Sequence, residues 1–299
     1  MSFAFRFWLV LVQLAIWSTS ATTSFAQPKP LPDNVELTRD VEYGKGGGRP
    51  LTMHILRPKK VPQDKMPVIV WIHGGGWEGG SKDGGINRLA SFAERGYFCA
   101  TIGYRFSGEA IFPAQIEDAK CAIRFLRANA KTYHLDPQRI GAWGYSAGGH
   151  LVELLGTSGQ VKELEGEGGW PEFSSQVQAV CSVAGVGDFV KWGDKAHPAV
   201  VKLLGGIVSK NMEKAALASP VTHVGKGMPP FLIIHGDKDM TVPVAQSEYM
   251  HAALQKVGAD VTLNVIQGGS HNLINPETDK LAETFFDKHL LGKSKKAEK

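Results

Sequence analysis

The chain reads as an α/β protein: a mostly parallel central sheet with helices on both faces and a small cap. Three observations carry that expectation. Apolar runs of strand length alternate with segments of helical periodicity from residue 67 to residue 290, which implies right-handed crossovers and parallel pairing. The runs are continuous rather than alternating, as in strands covered on both faces. The chain has 299 residues, 43% of them apolar, enough for one large core.

The elements follow in order. Pro28 to Pro32 marks a linker, assigned to 27–40, before one large α/β domain over 41–291. Leu51 to Leu56 reads as a strand closed by Arg57-Pro58, expected to pair antiparallel at an edge. Pro67 to His73 is a buried strand that ends in Gly74-Gly75-Gly76. Ile86, Leu89, Ala90 and Ala93 recur at helical spacing, with Gly96 placed to end the helix in a left-handed residue. Cys99 to Tyr104 is the next strand. From Pro113 to Lys131 the positions Ile116, Ala119, Ile123, Leu126 and Ala130 mark one helical face, and Pro113 suits a first turn. Strands are expected at Arg139 to Tyr145, Val177 to Val183, Phe231 to His235 and Val261 to Ile266, with helices at Val244 to Val257 and Pro276 to Leu290. Gly156 to Phe173 and Val186 to Ala218 carry no clear period. Insertions of this kind near strand ends are expected to form a pocket wall or cap.

The first residues resemble a secretory signal: Arg6, an apolar run from Phe7 to Trp17, and Ser24-Phe25-Ala26 as a small-residue cleavage site, with the cut after Ala26. An uncleaved anchor is the alternative, but the run is shorter than the roughly 18 residues a spanning helix needs. The export reading places the mature protein in the periplasm or the medium. The net charge of +4 includes Lys293, Lys295, Lys296 and Lys299, in a polar tail over 292–299 expected to be disordered. The remainder is near neutral, which argues against a nucleic-acid partner. Cys99, Cys121 and Cys181 fall in no metal-ligand spacing and read as small buried hydrophobes, with one disulfide as the alternative.

Gly144-Tyr145-Ser146-Ala147-Gly148 lies between a strand and a helix, where a sharp turn would push the Ser146 hydroxyl out of the sheet. The following helix would aim its first amides at developing negative charge. His73-Gly74-Gly75-Gly76-Trp77 follows an earlier strand. The amides of Gly75, Gly76 and Ala147 would form an oxyanion hole, worth about 3 kcal/mol per donor. No G-K-[ST] follows the glycines, so a phosphate loop is disfavoured.

Ten histidines compete for the role of base. In this architecture the order is Ser, acid, His, with His after the last strand, and His271 in Gly268-Gly269-Ser270-His271-Asn272 fits. His289 reads as surface, His150 as packed and structural, and His73 and His235 as strand-end residues that satisfy backbone groups or line the pocket. Two carboxylates follow the Phe231 to His235 strand. Asp237 can cap the turn and Asp239 has the reach to His271, and spacing alone leaves both open. Asp260 stands at the wrong end of the sheet.

Together, HGGGW, GYSAGGH, HGDKDMTVP and GGSHN resemble the esterase and lipase branch of the α/β-hydrolases that includes hormone-sensitive-lipase-like enzymes and bacterial feruloyl and acetyl-xylan esterases. The resemblance covers residues 49 to 291, and Phe112 to Asp118 with Ala122 to Leu126 extends it to the helix before the elbow. It implies the α/β-hydrolase fold, and its HG-x-x-D-x-x-VP pattern assigns the acid to Asp239. It also implies acyl transfer by Ser146, His271 and Asp239, with no metal or organic cofactor and with a small-molecule or carbohydrate ester as substrate. Acetyl or feruloyl groups on polysaccharides are the expected acyl groups, with broad small-ester hydrolysis as the alternative. Peptidases of the prolyl-oligopeptidase type, arylformamidases and non-catalytic receptors share the fold and stand as further alternatives. Trp77, Phe106, Phe189 and Trp192 are candidates for the pocket wall, half of them expected to be core.

Overall fold

A computed structural model of the chain describes residues 30–291. The expected signal segment and the basic tail lie outside the described residues. The described elements are β1 (Val35–Gly46), β2 (Arg49–Pro58), β3 (Met66–Ile72), α1 (Ile86–Glu94), β4 (Phe98–Ile102), α2 (Ala114–Ala128), β5 (Leu135–Tyr145), α3 (Ala147–Thr157), β6 (Ala179–Val183), α4 (Phe189–Trp192), α5 (Pro198–Leu204), α6 (Met212–Ala218), β7 (Phe231–Gly236), α7 (Ala245–Lys256), β8 (Val261–Ile266) and α8 (Pro276–Leu290). They build one eight-stranded sheet in the order β1-β2-β4-β3-β5-β6-β7-β8. β2 is antiparallel to both of its neighbours, and every pair from β4 to β8 is parallel.

Strand β3 explains why the apolar runs are continuous. Val68, Val70 and Ile72 point into one core, while Ile69 and Trp71 point into the other. The first core is roofed by Ile116, Ile123 and Leu126 of α2, Leu151 and Leu154 of α3, and Met250 and Leu254 of α7. The second lies under Leu89 and Phe92 of α1 and Ala282, Phe286 and Leu290 of α8. Phe92 meets Trp143 and Phe286 ring to ring, with centroids 5.7 and 6.0 Å away, so α1, β5 and α8 are packed as one unit. Truncating a buried aromatic such as Phe286 costs about 3–5 kcal/mol.

Local chemistry sets the helix ends. Asn275 and Thr278 form a capping box at α8, with Pro276 at the first position, Glu277 and Asp279 in the first turn, and Lys288 and His289 in the last. Gly96 has φ +97° after α1, the left-handed stop its position implies.

Three expectations need correction. Residues 35–40, assigned to the linker, belong to β1. That strand is the sheet edge, so its outward positions are solvated and its sequence lacks an apolar run. The strand around Leu51 is therefore second from the edge, antiparallel on both sides. The segment 156–173 joins the end of α3 to the start of β6 and lines no part of the cavity above Ser146; the hollows it does line lie against Lys45, Arg105, Arg124 and Gln176 instead. A polar clamp fixes it there. The buried Lys120 donates to Ser158 O (2.7 Å) and Glu165 Oε1 (2.8 Å), and the buried Arg124 donates to Glu165 Oε2 (2.7 Å) and Gly169 O (3.0 Å). Cys99, Cys121 and Cys181 are free and buried, and burial pushes all three thiols above their ordinary value.

Candidate active site

In parallel sheets, ligands bind beyond the carboxyl ends of the strands. Here the registers Ile72 with Gly144, Tyr145 with Val183, and Gly236 with Ile266 bring the loops after β3, β5, β7 and β8 to one edge. Ser146 is the single residue between β5 and α3 and has φ 55° and ψ −118°, a conformation that is costly for a residue with a Cβ. The strain is held in place from several sides. The Ser146 amide donates to Val183 O (2.8 Å), and a Cβ on Gly144 would collide with the carbonyl of Gly148, as one on Gly148 would with the carbonyl of Ile72. Strand and helix touch backbone to backbone, so the turn requires glycine at both flanks.

The Ala147 amide is the first of α3 and has no acceptor within the helix. Across the cleft, Gly75 O accepts from the amides of Glu78 and Gly79 (3.1 Å each), which curls the glycine loop. The amides of Gly75 and Gly76 donate to no protein acceptor among the described residues. Trp77 anchors the loop: its Nε1 donates to His150 Nδ1 (3.1 Å), and His150 Nε2 donates to Ala218 O (2.8 Å). Burial lowers the His150 imidazole to about 4, so it stays neutral and structural. His73 stacks on Tyr104, whose hydroxyl donates to His73 O (3.1 Å).

His271 Nδ1 lies 2.6 Å from Asp239 Oδ2, and its Nε2 lies 2.9 Å from Ser146 Oγ. Tyr145 supports the loop that carries His271 through its hydroxyl, which donates to His271 O (3.1 Å). Asp239 Oδ1 accepts from the amides of Thr241 (2.8 Å) and Val242 (2.9 Å). Burial alone would raise this carboxyl, but hydrogen bonds from His235, His271, Val242 and Thr241 outweigh it and hold Asp239 well below the usual carboxylate range. Asp237, the competing acid, accepts from the Gly268 amide (2.6 Å) and so pins the loop that carries His271.

One contact was not assigned from the motifs. The fully buried His235 sets its Nε2 2.8 Å from Val242 O and 3.2 Å from Asp239 Oδ2. Both partners are acceptors, so Nε2 carries a proton and steadies the Asp239 carboxylate from behind, while Nδ1 pairs with Ser247 Oγ (2.6 Å). Its four-residue offset from Asp239 around a tight turn was the available clue.

A cavity of about 300 Å³ opens above Ser146, between the glycine loop and the segment 186–199. Trp77 and Trp192 line it. Phe106 and Phe189 do not: Phe189 is buried between Trp77 and His150, and Phe106 packs on His73 and Tyr104. Val186, His197 and Ala199 also line the wall, so the aperiodic segment 186–218 is the small cap. Among the described residues, no cluster of three or more His, Cys, Asp or Glu could hold a metal ion, and no helix is long and apolar enough to cross a membrane.

Known proteins agree with this architecture. The BD-FAE family model matches residues 53–254. The chain is 35% identical over 224 residues to the probable carboxylic ester hydrolase LipM of Mycobacterium tuberculosis, covering 73% of this chain and 52% of LipM. It thus spans about half the length of the curated relatives it matches. Among solved structures, a truncated carbohydrate esterase from gut microbiota superposes with a TM-score of 0.79 at 28% identity, covering 88% of this chain and 99% of that one. Butyrate-bound esterase Est2 of Thermogutta terrifontis gives a TM-score of 0.74 at 29% identity, covering 88% and 97%. With its eight-stranded sheet, its elbow and its small cap, the chain belongs to the BD-FAE family of hormone-sensitive-lipase-like α/β-hydrolases.

Proposed function

We propose that the protein is a serine carboxylic-ester hydrolase in which Ser146 is the nucleophile, His271 the general base and Asp239 the carboxylate that orients it. One observation carries the reading: the unbroken relay from Asp239 through His271 to Ser146, at 2.6 and 2.9 Å, beneath unused amides of the glycine loop. Asp239 accepts from His271 Nδ1–H, which leaves Nε2 free to take the Ser146 proton as Oγ attacks the ester carbonyl. The amides of Ala147, Gly75 and Gly76 stabilise the oxyanion. The imidazolium then protonates the leaving alcohol, and water repeats the sequence on the acyl-enzyme. Asp239 stays ionised throughout, since its hydrogen bonds hold its pKa far below neutrality.

The substrates are acetyl or feruloyl esters of carbohydrates. The likeness to a gut carbohydrate esterase supports this, and the apolar stretch from Phe7 to Trp17 supports export toward such material, with residues 41–291 as the catalytic domain. Short-chain small esters are the second reading, favoured by the cavity of about 300 Å³ and by the likeness to the butyrate-bound esterase. The test is turnover of p-nitrophenyl esters of rising chain length, acetylated xylan and methyl ferulate, with Ser146→Ala alongside. The variant is expected to lose at least about 10⁴-fold in kcat. A wild type inert on every ester would end the hydrolase reading, and one active only on p-nitrophenyl esters would end the carbohydrate reading.

A further inference from the structure

Beyond the reacting groups, one side chain offers an unused hydrogen bond to the substrate cavity. His197 caps α5, and its Nδ1 accepts from the Ala199 amide (3.2 Å). An amide can only donate, so Nδ1 carries no proton and the neutral ring must carry its proton on Nε2. Nε2–H has no protein partner among the described residues, and the ring is exposed and lines the cavity above Ser146. Its position relative to the glycine loop is fixed: a Cβ added to Gly76 would stand 3.1 Å from Ala199 Cβ, so the first turn of α5 packs against Gly76.

The surroundings say what this donor meets. The cavity wall carries Trp77, Tyr145, Trp192, Val186 and Val242, and no Lys, Arg, Asp or Glu lines it. Such a wall takes a neutral ligand with apolar faces and oxygen atoms at its edges, the surface a sugar ring presents. We infer that His197 is a specificity-determining residue whose Nε2–H donates to a hydroxyl or ring oxygen in the alcohol portion of the ester, selecting acylated sugars over esters of plain alcohols. The inference rests on the esterase reading and names the substrate class of that same site.

The test compares kcat/KM on acetylated xylo-oligosaccharides with kcat/KM on p-nitrophenyl acetate for the full chain and for His197→Ala and His197→Ser. Both substrates form the same acetyl-enzyme, so the ratio reports recognition of the alcohol alone. Serine keeps an oxygen that can cap α5 but lacks the reach, which separates substrate contact from helix fraying. The ratio is expected to fall about tenfold in both variants, equivalent to about 1.4 kcal/mol. A ratio unchanged in His197→Ser, or lost only in His197→Ala together with a lower Tm, overturns the inference. A wild type that cleaves p-nitrophenyl acetate through Ser146 but ignores the acetylated sugar also overturns it and leaves the esterase reading standing. A wild type inert on both substrates removes both readings.

Discussion

The loops that carry the reacting groups and the segment that walls the cavity are built on opposite plans. Around Ser146 and Asp239 the chain is held from several sides: the elbow is wedged between Val183, Ile72 and Gly148, and Asp239 takes bonds from two amides and two histidines. The cap is made of helices of four, seven and seven residues, held by single caps such as Asp188 and His197, with Ile207 and Met212 exposed. Reaction geometry is therefore over-determined, while substrate contacts hang on few bonds. Changes in the first region should abolish chemistry or shift stability, and changes in the second should redirect preference.

The largest effect is expected at the acid. Asp239→Asn would favour the wrong imidazole tautomer and lower kcat on p-nitrophenyl acetate by about 10⁴-fold with the fold intact. A loss below about tenfold would place the acid elsewhere, with Asp237 the next residue to change.

A stability effect comes second. Behind the elbow, the fully buried Glu153 of α3 accepts from Ser182 Oγ (2.7 Å), and its Oε2 has no partner. Burial pushes its carboxyl up to about 8. Above the ordinary value near 4.5 the unfolded chain releases this proton while the folded chain keeps it, so stability falls as pH rises from about 4.5 to about 8. The slope is at most about 1.4 kcal/mol per pH unit. Glu153→Gln should therefore raise stability at pH 8 by about 1–3 kcal/mol and change it little at pH 4, read as Tm across that range. A gain independent of pH would mean that Glu153 does not titrate in this window.

The smallest effect belongs to the cap. Trp192→Ala would open the cavity wall and raise the ratio of octanoate to acetate turnover by about three- to tenfold, with little change in Tm. A large fall in Tm with the ratio unchanged would show that Trp192 serves the core beneath it rather than the cavity.

The legible parts of the molecule were those where one local rule sets the structure. Helix α8 and strand β8 begin and end where Asn275-Pro276 and the run from Val261 predict. The elbow was legible because backbone contact between β5 and α3 excludes every side chain at Gly144 and Gly148. β1 was missed because an edge strand needs no apolar run. The segment 156–173 was misassigned because ion pairs from Lys120 and Arg124 to Glu165 leave no period to read. At the site, Ser146, Asp239 and His271 come together as expected. The contact of His235 with Asp239 depends on how tightly the turn between them closes, and the place of His197 beside the cavity depends on how α5 packs on the glycine loop.

Trp77, His150 and Ala218 form a chain of two hydrogen bonds that joins the glycine loop, the elbow helix and the last residue of α6. At the other end of the cap, the Ala184 amide donates to Ile234 O (2.8 Å) and fixes the exit from β6. Between these two anchors Phe189, Leu203, Leu204 and Val208 are buried in the main core, while Trp192 and His197 stand at the cavity wall. A descendant of this chain could change its diet by rewriting those few wall positions alone, inheriting an undisturbed elbow and core while a new wall is tried.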